Sequence, residues 1–386
     1  MAGKQSHPTA LEPDSAKDML ASLVRQAVRT ACTDLTAFPQ GLRVEVPVAY
    51  TNALAWLRAQ RAGTRIYWAG RNHRVQVAGI GAADVISATD GRIESAFAEL
   101  QHDLASAHPN LRYYGGMAFD PSREMGDEWQ PFGTYRFTLP QFQLENHGAH
   151  SYLVWNVLLR QCHDCERQPT TALDGLDAIV FPEDSANQAV PAPKQRADIP
   201  DRAGWMAAVE EALDGIHRGD IEKVVLARRS VFSFGEPLDP LALLTRIVAR
   251  TAATYQFYFQ PEPGAAFLGA TPERLYTRHG RHVESEAVAS TRPRGATDEE
   301  DAALARELLA SDKDRREHAF VVRAIQGALD GLCRNVYVSP EVSVLQLPRC
   351  QHLCCTLEGI LREETSDAVV MKALHPSPAV GGVPTE

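Results

Sequence analysis

Short apolar runs alternate with turns through the first half of the chain and predict a strand-rich region. The runs lie at residues 64–69, 73–78, 113–119, 133–139 and 149–160. Gly70-Arg71-Asn72 separates the first two runs, which is typical of a hairpin. The stretch at 183–200 is rich in Pro, Ala, Asp and Gln, has no periodicity, and predicts an exposed connector between two halves.

Helical periodicity becomes clear after this connector. In 205–218 apolar residues recur at helical spacing, and Gly219 ends the predicted helix. The residues at this spacing are Met206, Val209, Leu213 and Ile216. Further helices are predicted at 240–250 and at 298–332, the second with a break near Ser311, and strands at 221–230, 255–259, 266–269 and 274–277. Hairpin strands mixed with separated helices favour an α+β fold over alternating βαβ units.

Composition and charge narrow the class of protein. The 386 residues are 44% hydrophobic and 23% charged, as in an average soluble globular protein. A formal net charge of −10 argues against a nucleic-acid partner, which would need a basic face. The polar N-terminus lacks the apolar core of a signal peptide, and no apolar run is long enough to span a membrane. We therefore predict a cytoplasmic protein without a nucleic-acid or membrane partner.

Seven cysteines invite a zinc interpretation. Cys162 and Cys165 form a CxxC, but a second CxxC or an HxxxH at a convincing spacing is missing. Cys354 and Cys355 are adjacent, which suits tetrahedral ligation poorly. The cysteines are therefore interpreted as free thiols.

Three ionisable residues are candidates for chemistry, and each has a plainer alternative. Lys223 begins an apolar strand, where burial would lower its pKa towards that of a useful base, although the strand pattern alone favours an edge lysine with its head in solvent. Glu273 lies at a strand boundary and is either a general acid with a raised pKa or an exposed turn residue. Glu317 suits Mg²⁺, or it pairs with Lys313 one helical turn earlier.

Six segments, taken in order, resemble the motifs of the chorismate-utilising enzymes. This family includes isochorismate, salicylate, anthranilate and aminodeoxychorismate synthases. The segments are KVVLAR (223–228), FLGATPERL (267–275), EAVASTRPRG (286–295), LLASDKDRREH (308–318), QHLCCTLEG (351–359) and HPSPAVGG (375–382). The similarity is strongest from residue 205 to 384 and loose before that. It implies an antiparallel β-sandwich core flanked by helices, with a strand-rich half at 1–195 and the chorismate-binding catalytic region at 196–386.

The resemblance also implies a role for individual residues. Lys223 matches the general base that activates water, Glu273 the general acid, and Glu317 a ligand of Mg²⁺. Ala289, Ser290 and Thr291 match a loop that binds substrate through its backbone, and His352 matches a histidine of the substrate pocket.

Lys223 discriminates between the activities of the family. The relatives that aminate chorismate differ at this position, so a lysine implies water as the nucleophile. We expect an isomerase that converts chorismate to isochorismate, adding water at C2 and losing the C4 hydroxyl, for menaquinone or siderophore biosynthesis. The alternatives are a salicylate synthase and a truncated, inactive chorismate-binding protein. Chorismate is the expected partner; the oligomeric state is left open, with a monomer favoured.

The sequence departs from the family pattern at two places. Ser290 stands where the family usually has glycine, and a backbone with positive φ would strain a serine there. The chain also stops after 375–386, where the family continues with further core strands. That continuation resembles the part that supplies a substrate-binding arginine, a glycine-rich loop and the partner metal glutamate. The expectation is therefore a fragment whose C-terminal part is missing.

Overall fold

A computed structural model describes residues 9–33, 38–161, 164, 173–182 and 189–384. The chain divides into two compact units. Unit 1 comprises Met1–Gln188, Pro240–Ala249 and Ala253–Ala270, and unit 2 comprises Ala189–Asp239, Arg250–Ala252 and Thr271–Glu386. The predicted halves at 1–195 and 196–386 refer to the fold of the family rather than to these units, so they stay a prediction.

The helices and strands of the described residues are numbered in chain order. The helices are α1 (Pro13–Ala31), α2 (Ala53–Ala59), α3 (Ile93–Leu104), α4 (Arg202–Arg218), α5 (Pro240–Val248), α6 (Asp298–Ala310), α7 (Asp312–Leu332) and α8 (Asp367–Leu374). The strands from the first part of the chain are β1 (Gln40–Val48), β2 (Arg65–Ala69), β3 (Val75–Ile80), β4 (Asp84–Ala88), β5 (Tyr114–Met117), β6 (Tyr135–Leu139), β7 (Phe142–His147), β8 (His150–Leu159), β9 (Gln195–Ile199) and β10 (Lys223–Val224). The remaining strands are β11 (Arg229–Ser233), β12 (Tyr255–Glu262), β13 (Ala265–Thr271), β14 (Thr277–His279), β15 (His282–Pro293), β16 (Cys333–Val338), β17 (Ser343–Gln346), β18 (Cys350–Leu361) and β19 (Gly382–Val383).

Unit 1 is built on a seven-stranded sheet in the order β1-β8-β7-β3-β2-β12-β13. The predicted hairpin is confirmed, because β2 and β3 pair in antiparallel register around Gly70. Helix α1 covers the sheet core with Leu20, Val24 and Val28, which recur every four residues and are all buried. The same period that makes this helix amphipathic thus supplies its packing face.

Unit 2 is built on a five-stranded sheet in which β14, β15, β18 and β16 follow one another and β17 also pairs with β18. Helix α7 packs on it through Val321, Ile325 and Leu329, which share a core cluster with β15 and β18. The predicted break near Ser311 is confirmed: α6 ends at Ala310, and the Ser311 side chain accepts the backbone N–H of Asp314 to begin α7.

Helix α4 covers the predicted span, and Gly219 ends it with φ 80°, in the left-handed region where glycine carries no penalty. Its apolar residues do not form a buried face, however. Met206, Leu213 and Ile216 are each at least 40% exposed.

Two strand predictions and the connector prediction are wrong in detail. The strand predicted at 221–230 is interrupted: β10 pairs with β19, whereas β11 pairs with β9. The strand predicted at 274–277 begins only at Thr277. Within the predicted connector at 183–200, Gln195–Ile199 forms β9 against β11, while 183–188 lie outside the described residues.

The cysteines are free thiols only in part. Cys333, Cys350, Cys354 and Cys355 are not in disulfides, whereas Cys32 is disulfide-bonded, so the interpretation is wrong for Cys32. Cys162 and Cys165 lie outside the described residues. Across the part of the chain that the structure describes, the helices are too short or too polar to cross a membrane.

Candidate active site

The pairing of β15 with β18 places the predicted substrate loop beside the predicted pocket histidine. The two strands pair from His282↔Ile360 to Pro293↔Cys350, with a shift of register between Ala289 and Thr291. Ser290 is the extra residue in this bulge and has φ 61°. A β-bulge aims neighbouring side chains away from the regular ladder, which is why bulges are common beside active sites.

Two of the predicted substrate-binding residues, Ser290 and Thr291, contact the ring of a third, His352. Its Nδ1 lies 3.2 Å from the carbonyl oxygen of Ser290 and 3.1 Å from Oγ1 of Thr291. Burial lowers the pKa of His352, although the Ser290 carbonyl opposes this, so the ring is neutral at neutral pH. Ala289 is the remaining member of the loop and pairs with Leu353, the residue after His352.

Lys223 is held by one of the other family motifs. Strand β10 pairs with β19, and the Lys223 ammonium donates a hydrogen bond to the carbonyl oxygen of Pro378, so the KVVLAR and HPSPAVGG segments lie together. Burial lowers the pKa of Lys223, and the negative charge of Glu317 acts in the opposite direction. The side chain is therefore neither a fully solvated edge lysine nor a core lysine without a partner.

Glu273 follows β13, and its backbone N–H donates to Oγ1 of Thr271 at 3.1 Å. Burial raises the pKa of the Glu273 carboxyl group. The next residue, Arg274, directs its guanidinium to Glu284 and Glu286 instead. Unit 2 thus contains a lysine and a glutamate whose pKa values are shifted in opposite senses, as an acid–base pair near neutral pH requires.

Glu317 is half-buried on α7, six residues after the cap at Ser311. In the described part of the chain its carboxylate has no hydrogen-bond partner, and the alternative ion pair with Lys313 is not formed. The nearby Asp314 is engaged differently, by Arg292 at 2.6 Å.

One available carboxylate fits Mg²⁺, which one or two carboxylates commonly hold while water and substrate oxygens complete the octahedron. A cluster of three or more His, Cys, Asp or Glu side chains arranged for a metal ion is absent from the described residues.

Cys350 is the residue that sequence reasoning missed. Its Sγ lies 3.3 Å from Nε2 of His352. The sequence does indicate that the two side chains are neighbours, because residues two apart on a strand share a face. In the sequence alone, Cys350 is only one of the seven cysteines interpreted as free thiols.

A cavity of about 1410 Å³ lies among the described residues of unit 1. Aromatic side chains such as Trp68, Trp129 and Phe267 line it, together with the buried Arg43 and Glu145. None of the predicted site residues borders this cavity. Size alone therefore does not locate the chemistry of this protein.

The sequence model of the chorismate binding enzyme family matches residues 27–386. The chain belongs to this family, and the predicted resemblance is confirmed. Isochorismate synthase 2 (chloroplastic) of Arabidopsis thaliana is 33% identical over 394 residues, which cover 92% of this chain and 69% of the relative. The isochorismate synthase MenF of Bacillus subtilis is 30% identical over 348 residues, which cover 84% of this chain and 71% of the relative.

Solved structures confirm the fold. MenF, the menaquinone-specific isochorismate synthase from Escherichia coli, superposes with a TM-score of 0.76 at 25% identity, covering 94% of this chain and 81% of that one. Anthranilate synthase component I from Streptococcus pneumoniae TIGR4 has a TM-score of 0.63 at 19% identity, covering 81% and 74%. The second likeness concerns the fold alone. The predicted α+β fold of the chorismate-utilising enzymes is thus confirmed.

Proposed function

We propose that this chain is an isochorismate synthase, an isomerase that converts chorismate, with a hydroxyl group at C4, to isochorismate, with a hydroxyl group at C2. The observation that carries the proposal is the lysine at position 223, half-buried and with a lowered pKa, in a member of the chorismate binding enzyme family. Ammonia is already a free nucleophile, whereas water must lose a proton as it attacks. A lysine that can be neutral supplies the base that water needs.

In the proposed reaction neutral Lys223 removes a proton from a water molecule as its oxygen bonds to C2 of chorismate. The ring double bonds shift and the bond between C4 and its hydroxyl breaks. Protonated Glu273 donates its proton to the departing hydroxyl, which leaves as water. Each transfer contributes on the order of 10²–10⁴-fold to the rate. Solvent then returns the proton from Lys223 to Glu273, so no oxidant or other co-reactant is consumed.

The remaining predicted residues bind and orient the substrate. The bulge at Ala289, Ser290 and Thr291 exposes backbone beside His352, where it suits a carboxylate or hydroxyl group of chorismate. Glu317 would hold Mg²⁺, which when bound neutralises a carboxylate of the substrate. Without such a countercharge the dianionic substrate would meet a protein of net charge −10.

We further propose that the product supplies menaquinone synthesis rather than a siderophore. The support is the similarity to the menaquinone-specific enzyme of E. coli over 94% of this chain. Restoration of menaquinone in cells lacking MenF tests this assignment. The cytoplasmic location and the monomeric state stay predictions, which cell fractionation and sedimentation check.

The test of the activity is turnover of chorismate by the purified chain, with products separated by chromatography. Samples treated with a chelator are compared with samples resupplied with Mg²⁺. We expect isochorismate, formed only when Mg²⁺ is present. Salicylate with pyruvate would replace the proposal by the salicylate synthase alternative, and a folded chain that binds chorismate without turnover would be the inactive binding protein.

A further inference from the structure

Cys350 and His352 occupy the same face of β18, opposite the face that packs into the core of unit 2. Residues 351, 353, 355 and 357 are buried, whereas 350, 352, 354 and 356 are half-exposed. On this outer face Sγ of Cys350 approaches Nε2 of His352 at 3.3 Å. This distance is within reach of a hydrogen bond involving sulfur, so the thiol and the imidazole act on each other directly.

The other ring nitrogen decides the direction of that hydrogen bond. Nδ1 of His352 lies 3.2 Å from the carbonyl oxygen of Ser290, which only accepts. A neutral imidazole carries one proton, and it must therefore be on Nδ1. The Thr291 hydroxyl oxygen, 3.1 Å from Nδ1, is a second acceptor for the same N–H. Nε2 is left with a lone pair, and the S–H of Cys350 is positioned to donate to it.

We propose that Cys350 is a positioning residue for the isomerase reaction, whose thiol hydrogen holds Nε2 of His352 and so keeps the ring in the Nδ1–H tautomer beside the substrate loop. This inference rests on the proposed function, because only the family resemblance assigns His352 to the substrate pocket. The Ser290 carbonyl oxygen and the Cys350 thiol thus each hydrogen-bond to one nitrogen of the His352 ring. Loss of either hydrogen bond allows the imidazole to rotate or to change tautomer.

The decisive measurement is the ¹⁵N chemical shift of the two His352 ring nitrogens in the full chain labelled with ¹⁵N-histidine. The 13 histidines are resolved by comparison with His352→Gln, which lacks the signals in question. We expect Nδ1 in the protonated range and Nε2 in the unprotonated range. A protonated Nε2 in the unmodified protein would overturn the proposal. This readout does not need catalysis, so it separates failure of this inference from failure of the proposed activity.

Variants at position 350 test the consequence for substrate. Cys350→Ala removes the donor, and we expect mixed His352 tautomers and a KM for chorismate raised about three- to tenfold, the range set by one hydrogen bond, with a smaller change in kcat. Cys350→Ser keeps a donor and should restore both the ¹⁵N pattern and the KM. The control is Cys355→Ala on the core face, which should lower stability without moving the His352 signals. An Ala variant at 350 with unaltered tautomer and KM would contradict the positioning role.

Discussion

In the proposed reaction Glu273 is protonated when the C4 hydroxyl leaves, and burial raises the pKa of this carboxyl group. Raising the pKa of an acid widens the pH range in which it holds its proton. We therefore expect kcat to fall as the pH rises through the raised pKa of Glu273. In Glu273→Gln this fall should disappear, and kcat should drop by about 10²–10⁴-fold at all pH values. Steady-state kinetics across pH check both effects.

A matched control for that variant is Glu358→Gln on β18. The Glu358 side chain is about 45% exposed and approaches His282 at 3.4 Å, and Glu358 is not one of the predicted site residues. Its loss should leave kcat within about twofold, because exposed ion pairs contribute little. A Glu273→Gln enzyme that keeps its rate would show that another group protonates the leaving hydroxyl.

Ser290 adopts φ 61°, a left-handed conformation that costs a non-glycine residue roughly 1–2 kcal/mol. Its hydroxyl donates to the carbonyl oxygen of Asp314 at 3.0 Å, which offsets part of that cost. In Ser290→Gly the strain and the hydrogen bond are both lost, and we expect the free energy of unfolding to stay within about 1 kcal/mol. Ser290→Val keeps the strain, adds a β-branched side chain and loses the hydrogen bond, so it should be destabilised by about 2–3 kcal/mol.

Urea unfolding of the three proteins measures this difference. If the free energy of unfolding of Ser290→Val matched that of the wild type, the backbone at 290 would not be left-handed.

Ser290 also shows what a single residue in the sequence can predict about the structure. Its departure from glycine anticipated the positive φ, because only a special backbone explains a glycine at a fixed place. For Cys350, spacing indicates only that it shares a strand face with His352, because its proposed role depends on the ring orientation of His352, which no spacing specifies.

At the scale of elements, the two-residue pairing of β10 with β19 positions Lys223. A Cβ atom on Gly382 would lie 3.0 Å from the carbonyl oxygen of Lys223. Gly382→Ala should therefore push β10 away and move the Lys223 ammonium. Because misplacing a reacting group by about 1 Å costs about 10²-fold, we expect kcat to fall by about 10–100-fold while KM changes less.

The neighbouring Gly381→Ala is the comparison for this variant. A Cβ there meets the carbonyl oxygen of Ser377 at 3.3 Å, a milder contact that does not involve Lys223. Its kcat should fall by less than that of Gly382→Ala, as measured in the same assay. Equal kcat values for the two variants would mean that Lys223 does not depend on this pairing.

Elements defined by local rules were predictable from the sequence, and elements defined by distant partners were not. Helix α4 followed from its apolar period and its glycine end, and the boundary between α6 and α7 followed from the predicted break near Ser311. The interruption between β10 and β11 could not be predicted in this way. Their partners, β19 and β9, lie on opposite sides of them in sequence, and the apolar run between Val224 and Leu226 hides the change of sheet.

At the scale of the whole molecule, the seven predicted site residues belong to unit 2, while the cavity of about 1410 Å³ belongs to unit 1. The family motifs predicted the first of these facts, because they cluster after residue 205. Composition and periodicity could not predict the cavity, which depends on how aromatic side chains from distant strands face one another. Unit 1 also buries an ion pair, Arg43 with Glu145 at 2.8 Å, far from any of the motifs in sequence.

This separation predicts that unit 1 can be weakened without altering the chemistry. Burial alone would raise the pKa of Glu145, but hydrogen bonds from His147 and Arg43 lower it overall. A carboxyl group whose pKa is lower in the folded than in the unfolded protein stabilises the fold at pH values above its unfolded pKa. This stabilisation is lost as the pH falls through the folded pKa. Arg43→Met leaves His147 as the remaining partner of the buried Glu145, so at neutral pH it should cost up to about 3–5 kcal/mol. Replacing both residues by methionine should cost less.

The stability of the Arg43 variants is measured by urea unfolding followed through tryptophan fluorescence. Four of the five tryptophans, Trp56, Trp68, Trp129 and Trp155, lie in unit 1, so the signal reports chiefly on that unit. In the absence of urea, where the protein remains folded, kcat and KM for chorismate should equal those of the wild type. A lowered kcat in the folded Arg43→Met protein would show that unit 1 contributes to the chemistry, because an ion pair that only supports its own unit changes the folded fraction and not the rate per folded molecule.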